Sequence, residues 1–319
     1  MYLTQLIRIL TSWIKRIYTV KRVVYASVLL TLPALFALSA WLDITFVGKN
    51  VSLQIPAEIT FDLDLSNIES DNIYIRKSKE DLDGFRVSKT QKEWKTVYQY
   101  PGYYKAQLIV DNKLVKVHDV FVKSYGWAGT LSHGTQVEYL SEKDLKCEAM
   151  IGLSEIKLNS ILKTDTPPTL TFHYFDQINP VSGLDFTLET RLRHTYNSYA
   201  APCRNIQIEV VGTNSSFQIP LSINACSTNS PLVIAGHEYY ATQVDLKKLQ
   251  ADYSQWQQFK MEVNGGLVKF YLNNQQQLTV PVLSSIGQVV GFRYHFEGAG
   301  EVDQVKLTDT RDVIYAAPF

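Results

Sequence analysis

Hydrophobic and polar positions follow three regimes along the chain. Between Leu3 and Val20, apolar residues recur at Leu3, Ile7, Leu10, Ile14 and Ile17, a helical spacing with Arg8, Lys15 and Arg16 set between them. Residues 23–42, VVYASVLLTLPALFALSAWL, then run without a charge. Twenty helical residues at about 1.5 Å each span about 30 Å, the hydrocarbon thickness of a bilayer, so this stretch predicts a single transmembrane helix. Pro33 is tolerable there, because neighbouring groups in a membrane helix re-satisfy the freed carbonyl.

After residues 47–50 the period changes to two. Ile59, Phe61, Leu63 and Leu65 alternate with Thr60, Asp62 and Asp64, a half-buried strand, and Ile73-Tyr74-Ile75 gives a second. In VYQYPGYYKAQLIV, residues 97–110, Pro101-Gly102 predicts a tight turn with the glycine free to take positive φ. Asp111-Asn112 predicts a hairpin leading into residues 114–122. Residues 130–165 are the least regular. There Ser154, ahead of Ile156, Leu158, Ile161 and Leu162, predicts one or two helical turns with the serine as N-cap. From Thr169 onward TLTFHYF, LDFTLETRLRH, NIQIEVVG, SFQIPLSI, QQFKMEVNGGLVKFYLN, QQLTVPVL, GQVVGFRYHFEG and VDQVKLTD alternate between turn-forming residues. Asn264-Gly265-Gly266 marks a hairpin among them. So many short strands over about 150 residues predict a two-sheet jelly roll.

Charge fixes an orientation. Arg8, Lys15, Arg16, Lys21 and Arg22 precede the apolar stretch with no acid before Asp43, which leaves 26 basic and 31 acidic residues for the rest of the chain. The positive-inside rule then places the N-terminus in the cytoplasm and the later domains outside it, in an inner-membrane protein with a periplasmic or extracytoplasmic body. Small-residue sites around Ser39 leave a cleaved signal peptide as the competing reading, against which stand the 22-residue leader and the length of the apolar run. The basic amphipathic residues 1–22 suit the anionic inner leaflet. A mildly acidic body argues against nucleic acid as the partner, since phosphate binding needs a basic surface. Of the three cysteines, Cys203 and Cys226 either pair across a loop in an oxidising compartment or remain buried thiols; no Cys/His cluster suggests a metal, and no cofactor motif is present.

Two resemblances follow from particular residues. ITFDLDLS and VYQYPGYYKAQLIVDNKLV, with Tyr98, Tyr100, Pro101, Gly102 and Tyr104, resemble the PKD domain, a small Ig-like β-sandwich; IYIRKSKEDLDG departs from its W-x-F-G-D-G segment. The pattern from Trp256 to Asn273, with GFRYHFEG-x-G-EVD-x-VKL from Gly291 to Leu307, resembles concanavalin A-like lectin and glucanase domains, and within them laminin-G-like and 3-keto-disaccharide hydrolase-type domains. Together with the apolar stretch and the charge pattern, the resemblances give a mainly β chain: a cytoplasmic segment (1–22), a transmembrane helix (23–42), a PKD-like domain (51–125), a connector (126–168) and a concanavalin A-like jelly roll (169–319). The PKD resemblance implies display or adhesion and no chemistry, and the concanavalin A-like one implies anything from a glycan-binding module to a hydrolase. Trp127 either packs at the domain junction or is exposed for a ligand.

Period two also divides the strands into faces. Phe186, Leu188, Thr190, Leu192, Ile206, Ile208, Val210, Phe259, Met261, Val263, Val268, Phe270 and Leu272 form the expected core. The opposite face carries Glu189, Arg191, Arg193, Gln207, Glu209, Lys260, Glu262, Lys269, Tyr271, Arg293 and His295. Arg191, Arg193, Tyr271, Arg293 and His295 are the candidate ligand contacts, since charge beside an aromatic ring suits a sugar or an acidic ligand; a solvated sheet face accounts for the same residues. Glycoside hydrolysis needs two apposed carboxylates. Glu301-Val302-Asp303 supplies part of an E-x-D-x-E row, Val305 stands where the third acid would fall, and Asp303 is expected to receive a turn hydrogen bond instead. The expected function is recognition of a glycan or an envelope protein without catalysis, the alternatives being a carbohydrate-active enzyme and a structural scaffold.

Overall fold

The computed structural model describes residues 44–317 apart from 51–54, 147, 165, 177, 224–225, 227–229 and 311. The amphipathic segment 1–22 and the transmembrane stretch 23–42 therefore lie outside the described residues. Among those described, no helix is long and apolar enough to cross a membrane. The chain forms two compact units. The first takes in Thr60–Thr96 and Lys105–His118 with the described residues up to Lys49; the second takes in Val97–Tyr104, everything from Asp119, and the described residues from 50 to Ile59.

Seven strands, several with an end that belongs to the second unit, build two sheets around the first unit: β1 (Thr45–Asn50), β2 (Ala57–Asp64), β3 (Ile73–Arg76), β4 (Phe85–Arg86), β5 (Glu93–Tyr98), β6 (Gly102–Val110) and β7 (Lys113–Val122). They form a three-stranded sheet in the order β1-β2-β5 and a four-stranded sheet in the order β4-β3-β6-β7. The strict alternation of β2 buries Phe61 and Leu63, and Phe61 stacks on Phe46 at 4.9 Å. Across the two sheets, Phe85 meets Trp94 at 5.5 Å and His118 meets the edge of Phe61 at 5.8 Å. Asp111 and Asn112, both at positive φ, close the β6–β7 hairpin as predicted. The second predicted turn differs: Gly102 does not have positive φ and opens β6 instead.

The second unit is a β-sandwich. Its strands are β8 (Trp127–His133), β9 (Gln136–Tyr139), β10 (Leu145–Lys146), β11 (Gly152–Leu153), β12 (Thr169–Tyr174), β13 (Phe186–His194), β14 (Ile206–Gly212), β15 (Ser216–Leu221), β16 (Leu232–Ile234), β17 (His237–Tyr239), β18 (Gln257–Asn264), β19 (Leu267–Leu272), β20 (Gln275–Pro281), β21 (Val289–Glu297), β22 (Gly300–Thr308) and β23 (Val313–Ala316). An eight-stranded sheet runs β17-β16-β15-β14-β21-β12-β8-β9, and a six-stranded sheet runs β20-β19-β18-β13-β22-β23. Residues 127–139, read from the sequence as connector, thus form two strands of the larger sheet. Trp127 packs on Tyr174 and Phe292 and donates to the Tyr315 hydroxyl at 2.9 Å, inside the second unit. Helix α1 (Glu155–Ile161) has Ser154 as its N-cap, whose hydroxyl accepts from the Lys157 amide.

Every residue expected in the core is buried, from Phe186 to Leu272. The β18–β19 turn holds Gly265 and Gly266 at φ 60° and 76°, where a side chain would be strained. The β13–β22 ladder slips once, between Glu189 and Arg191: Gln304, at φ 50°, and Val305 together oppose Thr190 in a β-bulge. Cys203 and Cys226 are joined by a disulfide across 23 residues. Closing a loop of that length restricts the unfolded chain and contributes about 3 kcal/mol. Replacing both cysteines by serine should lower the melting temperature under non-reducing conditions; an unchanged value would show that the link adds no stability.

Candidate functional site

Register assembles the most connected polar group of the second unit. On the outward face of the eight-stranded sheet, pairing of β12, β21, β14 and β15 sets His173, Arg293, Glu209 and Gln218 in one row. Thr171, His295, Gln207 and Pro220 form the next, and Thr169 with Glu297 begins a third. Arg293 Nη1 donates to Glu209 Oε2 at 2.7 Å, Nη2 donates to the Pro101 carbonyl at 2.7 Å, and the guanidinium lies over the Phe175 ring at 4.7 Å. His295 sits between Thr171 Oγ1 (3.0 Å) and Glu209 Oε2 (3.7 Å).

Electrostatics decide what these groups can do. Burial opposes ionisation of Glu209, but the Arg293 guanidinium and the nearby His295 imidazole outweigh it and hold the carboxyl well below the usual carboxylate range. Glu209 is therefore a fixed counter-ion, unsuited to donating a proton. Burial, reinforced by Arg293 and His295, pushes His173 well below the ordinary imidazole range and keeps it neutral, bonded through Nε2 to Thr130 Oγ1 at 2.9 Å. Tyr100 stacks on His173 at 5.9 Å, and its hydroxyl shares a hydrogen bond with Ser132. Here lies the reason for Gly102: a Cβ there would stand 2.6 Å from Arg293 Nη2, so the position needs space and not positive φ. The Tyr-Pro-Gly signature is thus built against this face.

Beside the ion pair opens a cleft of 400 Å³, lined by Thr169, Asn205, Gln207, Ser230, His295 and Glu297, with Cys203 of the disulfide on its wall. Glu297 is fixed from several directions. Its backbone amide donates to Asn205 O (2.9 Å), its carbonyl accepts from His194 Nε2 (2.7 Å), and its Oε2 accepts from Asn205 Nδ2 (2.7 Å). Gln207 Nε2 donates to Gln218 at 3.1 Å. A larger depression of 1020 Å³ is lined by Trp127, Leu145, Leu153 and Leu158 together with Glu142, Glu148 and Glu155.

The five candidate contacts do not form one site. Arg293 and His295 belong to this face, whereas Arg191, Arg193 and Tyr271 stand outward on the six-stranded sheet, because period two separates inward from outward without saying which sheet a strand joins. On that second face Arg191 pairs with Asp303 at 3.0 Å, Arg193 grips Glu301 through Nε and Nη2 at 2.6 Å, and both guanidinium groups lie over Trp256 at 5.0 and 4.8 Å. Lys260 covers Tyr271 at 4.1 Å. Glu301 and Asp303 are thereby neutralised, and Asp303 Oδ1 accepts the Gln304 amide at 2.6 Å, the expected turn bond. Sequence reasoning missed Asn205 and Glu297. Carrying the alternation one step back from Gln207 and one step on from His295 would have found them. Among the described residues no group of three or more His, Cys, Asp or Glu side chains could hold a metal ion.

No protein-family model and no curated protein matches the sequence. Solved structures similar to the chain include the carbohydrate-binding module CBM66 of Bacillus subtilis (12% identity, 58% of this chain and 96% of that one, TM-score 0.32). An alginate lyase from Corynebacterium sp. is similar at 11% identity over 57% of this chain and 94% of that one, TM-score 0.33. Domain 4 of an extracellular arabinanase from Geobacillus stearothermophilus, in complex with arabinotriose, is similar at 10% identity over 59% and 84%, TM-score 0.30. At these scores the likeness is loose.

Proposed function

We propose that the second unit is a glycan-recognition module of the concanavalin A-like type, displayed outside a membrane by an anchor at residues 23–42 with the first unit as a PKD-like spacer. The observation that carries the reading is the 400 Å³ cleft whose amide, imidazole and carboxylate side chains converge from β14 and β21. Its volume falls within the range of small-ligand sites, and hydrogen-bonding groups held in place by a second layer suit a ring of hydroxyls. The Glu209–Arg293 pair supports the cleft from behind by fixing His295. The Cys203–Cys226 disulfide supports an oxidising, extracytoplasmic compartment. The charge asymmetry around residues 23–42 supports a cytoplasmic N-terminus.

Applied to a glycan array in detergent micelles, the full-length protein should bind, and His295→Ala or Gln207→Ala should weaken binding about tenfold, roughly one lost hydrogen bond each. Failure to bind any glycan at millimolar concentration would overturn the proposal.

A further inference from the structure

We infer that the cleft on the outward face of the eight-stranded sheet selects uncharged sugars and rejects uronates, with Glu297 as the specificity-determining residue. The inference rests on the glycan-recognition reading and adds the ligand class. Its first support is the distribution of donors and acceptors. Asn205 Nδ2 gives one N–H to Glu297, and Gln207 Nε2 gives one to Gln218. Beside the hydroxyls of Thr169 and Ser230, the cleft offers a ligand strong acceptors: the Glu297 carboxylate and the amide oxygens of Asn205 and Gln207. Hydroxyl groups satisfy such a surface by donating. A carboxylate, which only accepts, leaves it unsatisfied.

Charge is the second support. Among the described residues no lysine or arginine lines the cleft. The buried Arg293 behind it spends its two terminal nitrogens on Glu209 and the Pro101 carbonyl. A uronate would therefore meet Glu297 with no compensating cation, and like charges at close range in a partly desolvated site repel strongly. The rigidity of Glu297 completes the argument. Its backbone is pinned through the amide and the carbonyl, and its carboxylate swings away from an anionic ligand only by breaking the two bonds that Oε2 accepts from Asn205, at 2.7 Å from Nδ2 and 3.3 Å from the backbone amide.

The test uses full-length protein in micelles at pH 8 and low salt, with neutral glucan, mannan and xylan oligosaccharides and with oligogalacturonates and oligomannuronates as probes. The expected result is binding of a neutral probe about tenfold or more tighter than any uronate, with Glu297→Gln reducing that preference to about threefold or less. Wild-type protein that binds uronates as tightly as neutral sugars overturns the inference while leaving the glycan reading intact. A Glu297→Gln variant with the wild-type preference overturns it also. Binding of neither class overturns both. Should the variant fail to fold, salt replaces it as the probe: raising ionic strength must narrow the wild-type preference by screening, and a salt-independent preference overturns the inference.

Discussion

Arg293→Met is expected to be the most damaging single change to the candidate site, lowering stability by about 3–5 kcal/mol because it strands a buried carboxylate without its counter-ion. Glu209 and Arg293 both have largely buried side chains, and in the intact protein the carboxyl is held ionised far down the pH scale. The sign of the pH dependence follows. A depressed carboxyl pKa contributes stability that is present above its unfolded value, near 4.3 for glutamate, and is lost only as pH falls through the lower folded value. In the variant the order reverses: burial without Arg293 raises the Glu209 carboxyl, so the deficit should be largest at neutral pH and shrink as pH approaches about 4. Adding Glu209→Gln to Arg293→Met should restore part of the loss by removing the stranded charge. Native-state hydrogen exchange of the β14 and β21 amides reads the effect locally. Unchanged protection in Arg293→Met at neutral pH would show that the pair is dispensable.

Phe292→Ala should cost a similar amount, about 3–5 kcal/mol, through the cavity it leaves. Phe292 is fully buried and central to an aromatic group that joins the two sheets of the second unit: it stacks on Tyr174 at 5.3 Å, meets Trp127 at 5.8 Å and reaches Tyr315 of β23 at 5.6 Å. Removal of the ring leaves Trp127 without one wall, which near-ultraviolet circular dichroism detects directly. Urea unfolding gives the magnitude. A loss below about 1 kcal/mol would mean that the neighbouring rings collapse into the space.

Much of the fold was legible wherever a signal is local. Alternation in LDFTLETRLRH, NIQIEVVG and KMEVNGGLVKFYL assigned inward and outward positions correctly, and Asp111-Asn112, Gly265-Gly266 and Ser154 marked turns and a cap from their own chemistry. Contacts made at long separation were not legible. Arg293 meets Glu209 across 84 residues, and nothing near either residue announces the other. The same limit divided the five candidate contacts between two faces, since each strand's phase is written locally but its sheet is chosen by distant partners. Residues 127–139 were missed for another reason: glycine at 126, 129 and 134 interrupts an alternation only seven and four residues long. Gly102 was read through its freedom of φ, whereas the structure uses its lack of a side chain.

The bulge at Gln304 has a consequence for chemistry. Ahead of it, Glu301 and Asp303 stand outward while Val302 is in the core; beyond it, Val305 and Leu307 are in the core and Lys306 is outward. The extra residue inverts the phase of the strand between its second and third outward positions. A row with the E-x-D-x-E spacing therefore cannot be completed here by changing a side chain, since a glutamate at position 305 would enter the hydrophobic interior and the next outward ladder position is 306. What keeps this strand from carrying such a row is one surplus residue in its backbone.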